Sequence, residues 1–168
     1  MVPPIKLRPP AAADACEFAA AARASRELHR PWITAPTTPE AFRSWRKRLT
    51  QPAQCALLAC RSDTGQIVGV FNITNIVLGP FRSAFLGYYV FAGHEQQGLM
   101  TEGLRAVMRH AFKVLKLHRI EANIQPGNAA SIALVQRCGF TLEGFSPRYL
   151  KIGGRWRDHE RWAIVGSS

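Results

Sequence analysis

FLGYYVFAGHEQQGLMT, residues 85–101, runs an apolar strand straight into a polar turn carrying Gly98, from which a helix opens. A helix start leaves backbone N–H groups unpaired at the positive end of the helix dipole, which suits a phosphate or pyrophosphate. The same succession also describes an ordinary structural turn, so what lies around it decides the reading.

Downstream, residues 98–117 carry Leu104, Val107, Met108, Ala111, Phe112 and Leu115 on one helical face. Arg105, Arg109, Lys113 and Lys116 lie elsewhere around that helix, and cations towards its C-terminal end complement the dipole. A strand is expected at 119–125, then a Pro126-Gly127 loop, then a short helix at 129–138 with Gly139 as its C-cap. Two last strands, 141–151 and 157–165, flank the turn Ile152-Gly153-Gly154-Arg155.

Upstream, residues 5–8 read as a short strand and the Ala-rich stretch 12–29 as one helix. A second helix is expected at 39–49, with Thr38 as N-cap, Pro39 at the first helical position, and Phe42, Trp45 and Leu49 at helical spacing. Residues 55–60 and 67–76 form a hairpin around Ser62-Asp63-Thr64-Gly65, and 84–91 is the strand that meets the Gly98 turn. This order predicts an α+β arrangement around one sheet, in which the strands before and after the long helix are neighbours joined by a crossover.

Composition limits the class. The chain has 168 residues with 47% hydrophobic content and no repeat or low-complexity tract, as expected of one globular domain over residues 1–168. The start, MVPPIKLRPP, and the end, Gly166-Ser167-Ser168, are composed like loose termini. No signal-peptide-like run or membrane-span length is present, so a soluble, cytoplasmic protein without membrane contact is expected. Cys16, Cys55, Cys60 and Cys138 form no CxxC pair and have no His at ligand spacing, so neither a metal site nor a disulfide framework is suggested. Against 11 Asp+Glu stand 22 Lys+Arg, a net charge of +11 that attracts polyanions such as nucleotides or ribosomal RNA.

At this point the motifs add up to a resemblance. Glu95-Gln96-Gln97-Gly98-Leu99-Met100 before an amphipathic helix, then IEANIQPGNAASIALVQRCGF, resembles the acetyl-CoA-binding core of the GCN5-related N-acetyltransferase (GNAT) superfamily. HRPW, GVFNITNIV, LGYYV, QGLM, HRIEANIQPGN, CGFTLEGF and YLKIGGRWRDHE, in that order along nearly the whole chain, resemble the RimJ/RimL-type enzymes that acetylate N-termini of ribosomal proteins. The resemblance implies a three-layer fold with a mixed sheet of six to seven strands, helices on both faces, and two parallel strands that splay apart to admit acetyl-CoA. It implies no metal.

Carried over residue by residue, it places the backbone of Val90 and Phe91 beside the pantetheine arm. Gln96, Gln97, Gly98, Leu99, Met100 and Thr101 fall at the pyrophosphate, with Gly98 letting the main chain approach closely. Glu95 and Met100 depart from the family's usual basic or Gln residue and small residue, so the backbone, rather than these side chains, is expected to form the cradle. Asn128 and Ser131 match positions beside the cofactor's sulfur and pantetheine, although Asn128 also suits an N-cap and Ser131 an ordinary first helical turn. No Tyr stands at Ala133-Leu134-Val135, where many members carry an acid, so protonation of the leaving thiolate is left to Ser131, water or Tyr149. Trp32 and Asn75 match positions that shape the acceptor side, although Trp32 equally suits a core, and Tyr149 in the last hairpin is a further candidate to face the substrate, with solvent as the alternative.

The chemistry requires a neutral amine, a thioester carbonyl within reach and an acceptor for the amine's proton. An α-amine with a pKa of about 8 is roughly a tenth neutral at pH 7, so an N-terminal acceptor demands little of a base. Glu121, in RIEAN, is the base candidate, with pairing to Arg119 as the alternative; a backbone N–H of Val90 or Phe91 is the candidate for polarising the carbonyl. The expected activity is direct acetyl transfer from acetyl-CoA to a protein N-terminus, most readily a ribosomal one, with the +11 charge serving cofactor capture or docking on ribosomal RNA. Acetylation of a small amine or antibiotic, and RNA binding without turnover, are the alternatives.

Overall fold

A computed structural model describes residues 5–167; residues 1–4 and 168, part of the expected loose termini, lie outside it. Seven strands form one mixed sheet in the order β1-β2-β3-β4-β5-β7-β6. They are β1 (Ile5–Arg8), β2 (Cys55–Arg61), β3 (Ile67–Val77), β4 (Ser83–Val90), β5 (Arg119–Ile124), β6 (Thr141–Ile152) and β7 (Arg155–Val165). Every neighbouring pair is antiparallel except β4 and β5, which the helix between them makes parallel.

Alternation along the strands divides the core in two. Leu57 and Ala59 on β2, Phe71 and Ile73 on β3, and Ile120, Ala122 and Ile124 on β5 pack under α4 (Leu99–Lys113) and α5 (Ala129–Arg137). Ala56, Leu58 and Cys60 face the other way, against Phe18 of α1 (Ala15–Ala24) and Phe42 and Trp45 of α3 (Pro39–Arg48). Phe18 stacks on Trp45 with ring centroids 5.4 Å apart.

The expected single helix over 12–29 is broken. A short 3-10 turn at Ala12–Asp14 leads into α1, and α2 (Arg26–His29) restarts after Ser25. The Ser25 hydroxyl donates back to Ala21 O at 2.7 Å and accepts from Ala92 N–H at 2.8 Å, so a polar tie to the sheet outweighs helix continuity. Thr38 caps α3 as its sequence predicts, accepting from Ala41 N–H at 3.1 Å.

The two long-range helices end differently. α5 stops in a Schellman motif: Gly139 takes φ 87°, Phe140 N–H reaches Val135 O and Gly139 N–H reaches Gln136 O. α4 stops at Lys113, four residues short of the expected end, because its last turn widens. Leu115 N–H reaches His110 O, Leu117 N–H reaches Ala111 O, and Lys116 takes φ 55° without any glycine to announce it. Among the described residues, no helix is long and apolar enough to cross a membrane.

Candidate active site

β4 and β5 pair only over Ser83–Phe85 with Arg119–Glu121; beyond Phe85 and Glu121 they part. The gap opens into a cleft of about 540 Å³ at the start of α4. Trp32, Val90, Gln96, Gly98, Leu99, Met100, Thr101, Asn128 and Ser131, all expected from sequence, line it together.

Phe91 N–H donates to Val68 O of β3 at 2.8 Å, so it is committed to the ladder and unavailable to a ligand. By the alternation of an antiparallel pair, Val90 N–H and C=O then face the parted side. The Val90 carbonyl is taken there by His29, whose Nε2–H donates to it at 2.8 Å. That bond fixes the tautomer of His29. The ring is buried against Tyr89 and Phe91, and burial, outweighing the Val90 bond, pushes its pKa below that of an ordinary imidazole. Of the two amides expected at the gap, Val90 N–H is the one that faces it.

Gly98 sits at φ 75° as N-cap of α4, a left-handed conformation that glycine adopts without strain. Glu102 N–H is the first to bond within the helix, to Gly98 O, so the amides of the opening turn are free to meet an anion. Leu99 is fully buried, which leaves only its backbone for a ligand. The Gln97 side chain braces the turn from outside the cleft, donating to Gly93 O at 2.7 Å. Met100 lies against Gly69, where a Cβ would come within 2.8 Å of its sulfur. Beside the helix start, Arg105, Arg109 and Arg137 line a second hollow with Thr101 and Glu102, where three cations outnumber one carboxylate and suit further phosphate.

Asn128 caps α5, accepting from Ser131 N–H at 3.3 Å. The Ser131 hydroxyl donates to the Tyr88 phenol at 2.7 Å, and the phenol donates to Ser131 O at 3.0 Å. Tyr88 therefore ties β4 to the helix that follows β5, across the gap. Burial pushes its pKa well above that of an ordinary phenol. Sequence reasoning missed Tyr88 and His29, although both lie in motifs that carry the resemblance, LGYYV and HRPW; two-residue alternation from Val90 would have put Tyr88 on the same strand edge.

Three other expected residues lie outside the cleft lining. Glu121 is not among the cleft-lining residues; it accepts from Arg119 Nε at 2.8 Å, and Arg119 also holds Glu143, so a cation satisfies the carboxylate. Asn75 is exposed on β3 at the paired end of the sheet, with φ 51° at a bulge between Thr74 and Val77, a conformation Asn tolerates. Tyr149 stands on a β6 irregularity next to Arg148, its ring 6.2 Å from that of buried His159, and does not line the cleft. Trp32 does line it and also covers the loop after β5, so that a Cβ on Gly127 would come within 3.3 Å of its ring. Among the described residues, no cluster of three His, Cys, Asp or Glu is placed to hold a metal.

Comparison with known proteins agrees with this geometry. A family model described as an acetyltransferase (GNAT) domain matches residues 5–141. The [ribosomal protein uS5]-alanine N-acetyltransferase of Escherichia coli is 41% identical over 103 residues, 61% of this chain and 53% of that protein. Mycobacterium smegmatis RimJ, solved with CoA-disulfide, superposes with a TM-score of 0.89 at 30% identity, covering 96% of this chain and 81% of that one. The ribosomal-protein-S5-alanine acetyltransferase of Vibrio fischeri gives 0.87 at 25% identity, covering 96% and 92%. The chain spans about half the length of the curated relatives it matches.

Proposed function

We propose, from the premise that this chain belongs to the GNAT acetyltransferase family, that it moves the acetyl group of acetyl-CoA onto the N-terminal α-amine of a ribosomal protein. The observation that carries this reading is the parting of β4 and β5 beside a helix start with free amides, in a chain similar to enzymes named for ribosomal-protein alanine acetylation.

Acetyl-CoA would supply an activated acyl carbon and a thiolate leaving group. The main chain of the Gln97–Thr101 turn would hold the pyrophosphate, with Arg105, Arg109 and Arg137 adding positive field. Val90 N–H, which faces the gap, would donate to an acceptor there, either the carbonyl of a pantetheine amide or the thioester oxygen. The amine nitrogen attacks the thioester carbonyl carbon; the C–N bond forms, the C–S bond breaks, and sulfur departs with the electron pair. The amine sheds one proton and the thiolate gains one. Ser131 is the proton donor proposed for sulfur: its hydroxyl would turn from the Tyr88 phenol to the departing thiolate, and water would return the proton to the serine. The carboxylate of Glu121, held by Arg119, is assigned to structure; an α-amine, about a tenth neutral at pH 7, can lose its proton to water. The excess of Lys+Arg over Asp+Glu favours ribosomal RNA as the surface on which the enzyme finds its acceptor.

The test is a panel of alanine- and serine-terminated peptides, lysine side-chain peptides and spermidine, each mixed with acetyl-CoA and followed by release of CoA thiol. The expected result is turnover of the alanine peptides with kcat/KM about tenfold or more above spermidine. Consumption of spermidine with silence on every peptide would overturn the reading.

A further inference from the structure

Past the last β4–β5 pair, β5 continues as Ala122, Asn123 and Ile124, bonded only to β7 on its other side. Ala122 and Ile124 enter the core under α4 and α5. Asn123 therefore faces the opposite side of the sheet, beside the gap, and its cross-strand partner there is Arg161. The Asn123 Oδ1 and the Arg161 Nε are both buried, and neither has a hydrogen-bond partner among the described residues. Protein interiors rarely leave such atoms unmatched, because a buried polar group without a partner is costly. The Arg161 guanidinium lies over Gly144 of β6, where the absence of a Cβ leaves room for it.

We infer that Asn123 and Arg161 dock the first aminoacyl unit of the acceptor, Asn123 Oδ1 accepting from the α-amine and Arg161 Nε–H donating to the first carbonyl oxygen. This inference rests on the α-amine reading and sharpens it. The two orphan atoms are one acceptor and one donor on adjacent strands. An N-terminal residue presents the complement, N–H and C=O separated by a single Cα. A polyamine presents only donors and positive charge. It finds nothing to bond with Arg161, and it also meets Arg157, further along the same face of β7, whose Nε is likewise buried and unpartnered. Glu121 and Glu143 share the single cation of Arg119, and Glu143 also feels the charge of Arg161, but three arginines against two carboxylates still leave this cluster net positive. The pair therefore selects an amine that carries a neighbouring carbonyl.

The experiment compares alaninamide, an alanine-terminated peptide and spermidine as acceptors for the wild type, Asn123→Ala, Asn123→Asp and Arg161→Met, with acetyl-CoA KM and melting temperature measured alongside. Asn123→Ala and Arg161→Met are expected to raise KM for alaninamide and peptide about tenfold. Acetyl-CoA KM should stay unchanged, and the preference over spermidine should fall by a similar factor. Asn123→Asp, which keeps the acceptor oxygen, is expected to retain the preference. If the variants leave acceptor KM and preference unchanged, or lose all acceptors equally with a lower melting temperature, the docking inference is overturned while the α-amine reading stands. A wild type that acetylates spermidine and no α-aminoacyl compound, or no acceptor at all, overturns both.

Discussion

The wall of the gap made by β4 and the start of α4 carries its polarity on the main chain, whereas the wall made by β5 and β7, outside the cleft lining, carries it on side chains. On the first, Gly98 at φ 75° and the free amides of the opening turn are the proposed cradle, while Leu99 is buried and Gln97 points outside. On the second, the polar atoms belong to Asn123, Arg161 and the Arg119–Glu121 pair. A backbone site depends on conformation, so it accommodates Glu95 and Met100, which depart from the family pattern. A side-chain site depends on residue identity, and substitutions there are expected to change selectivity more than cofactor affinity.

The largest test of that contrast is Gly98→Val. A β-branched residue at positive φ displaces the turn and puts a side chain where the anion would sit. Acetyl-CoA affinity, read by calorimetry, should fall about a hundredfold or more; retention within about threefold would break the main-chain account. Next come Ser131→Ala and Tyr88→Phe, where the two walls meet. Turnover should fall about ten- to a hundredfold for Ser131→Ala and about tenfold for Tyr88→Phe, with acetyl-CoA binding preserved. Unchanged rates in both would hand sulfur protonation to water.

A pH series probes the β4 wall. The folded pKa of His29 is depressed by burial, so below the ordinary imidazole pKa of about 6.5 the unfolded chain takes up a proton that the folded chain refuses. Stability present at pH 7 should decline as pH falls below about 6.5 until folded His29 titrates as well. Melting curves from pH 7.5 to 5 should show the decline, and His29→Gln should flatten it; equal slopes would exclude His29 as the cause. The smallest effect is expected of Glu121→Gln, within about threefold in kcat, with a stability change of under about 1 kcal/mol for a partly exposed pair. A hundredfold loss at unchanged melting temperature would return Glu121 to the role of base.

The sheet, its parallel pair and the strand–turn–helix at Gly98 were legible because local rules report them. Thr38 before Pro39 marks a helix start, Gly139 marks a helix stop, and Gly98 between strand and helix marks the turn that opens α4. The break at Ser25 and the end of α4 were not legible, since both are set by distant partners: Ala92 N–H for Ser25, and for the residues after α4 the Arg82 carbonyl, which accepts from His118 and Arg119 N–H. The acceptor side was read least well for the same reason. Whether Asn123 faces Arg161 depends on the register of β5 against β7, 38 residues later in the chain, and nothing local to RIEAN reports it. For Glu121 the sequence left both a base role and pairing to Arg119 open, and which side chains meet depends on rotamers and on Glu143 of β6, beyond β7.

Where β4 and β5 part, the sheet acquires a raw edge in its interior, with the same liability as an outer edge that can recruit a stray strand. His29 closes the Val90 carbonyl and Ser25 closes the Ala92 amide, both from the helical layer on one face. The break in the first helix thus serves as edge protection: the serine that interrupts α1 and the histidine that ends α2 leave only the cleft-facing stretch of β4 open to pairing. Replacing both should therefore appear first as self-association, seen as a concentration-dependent increase in light scattering.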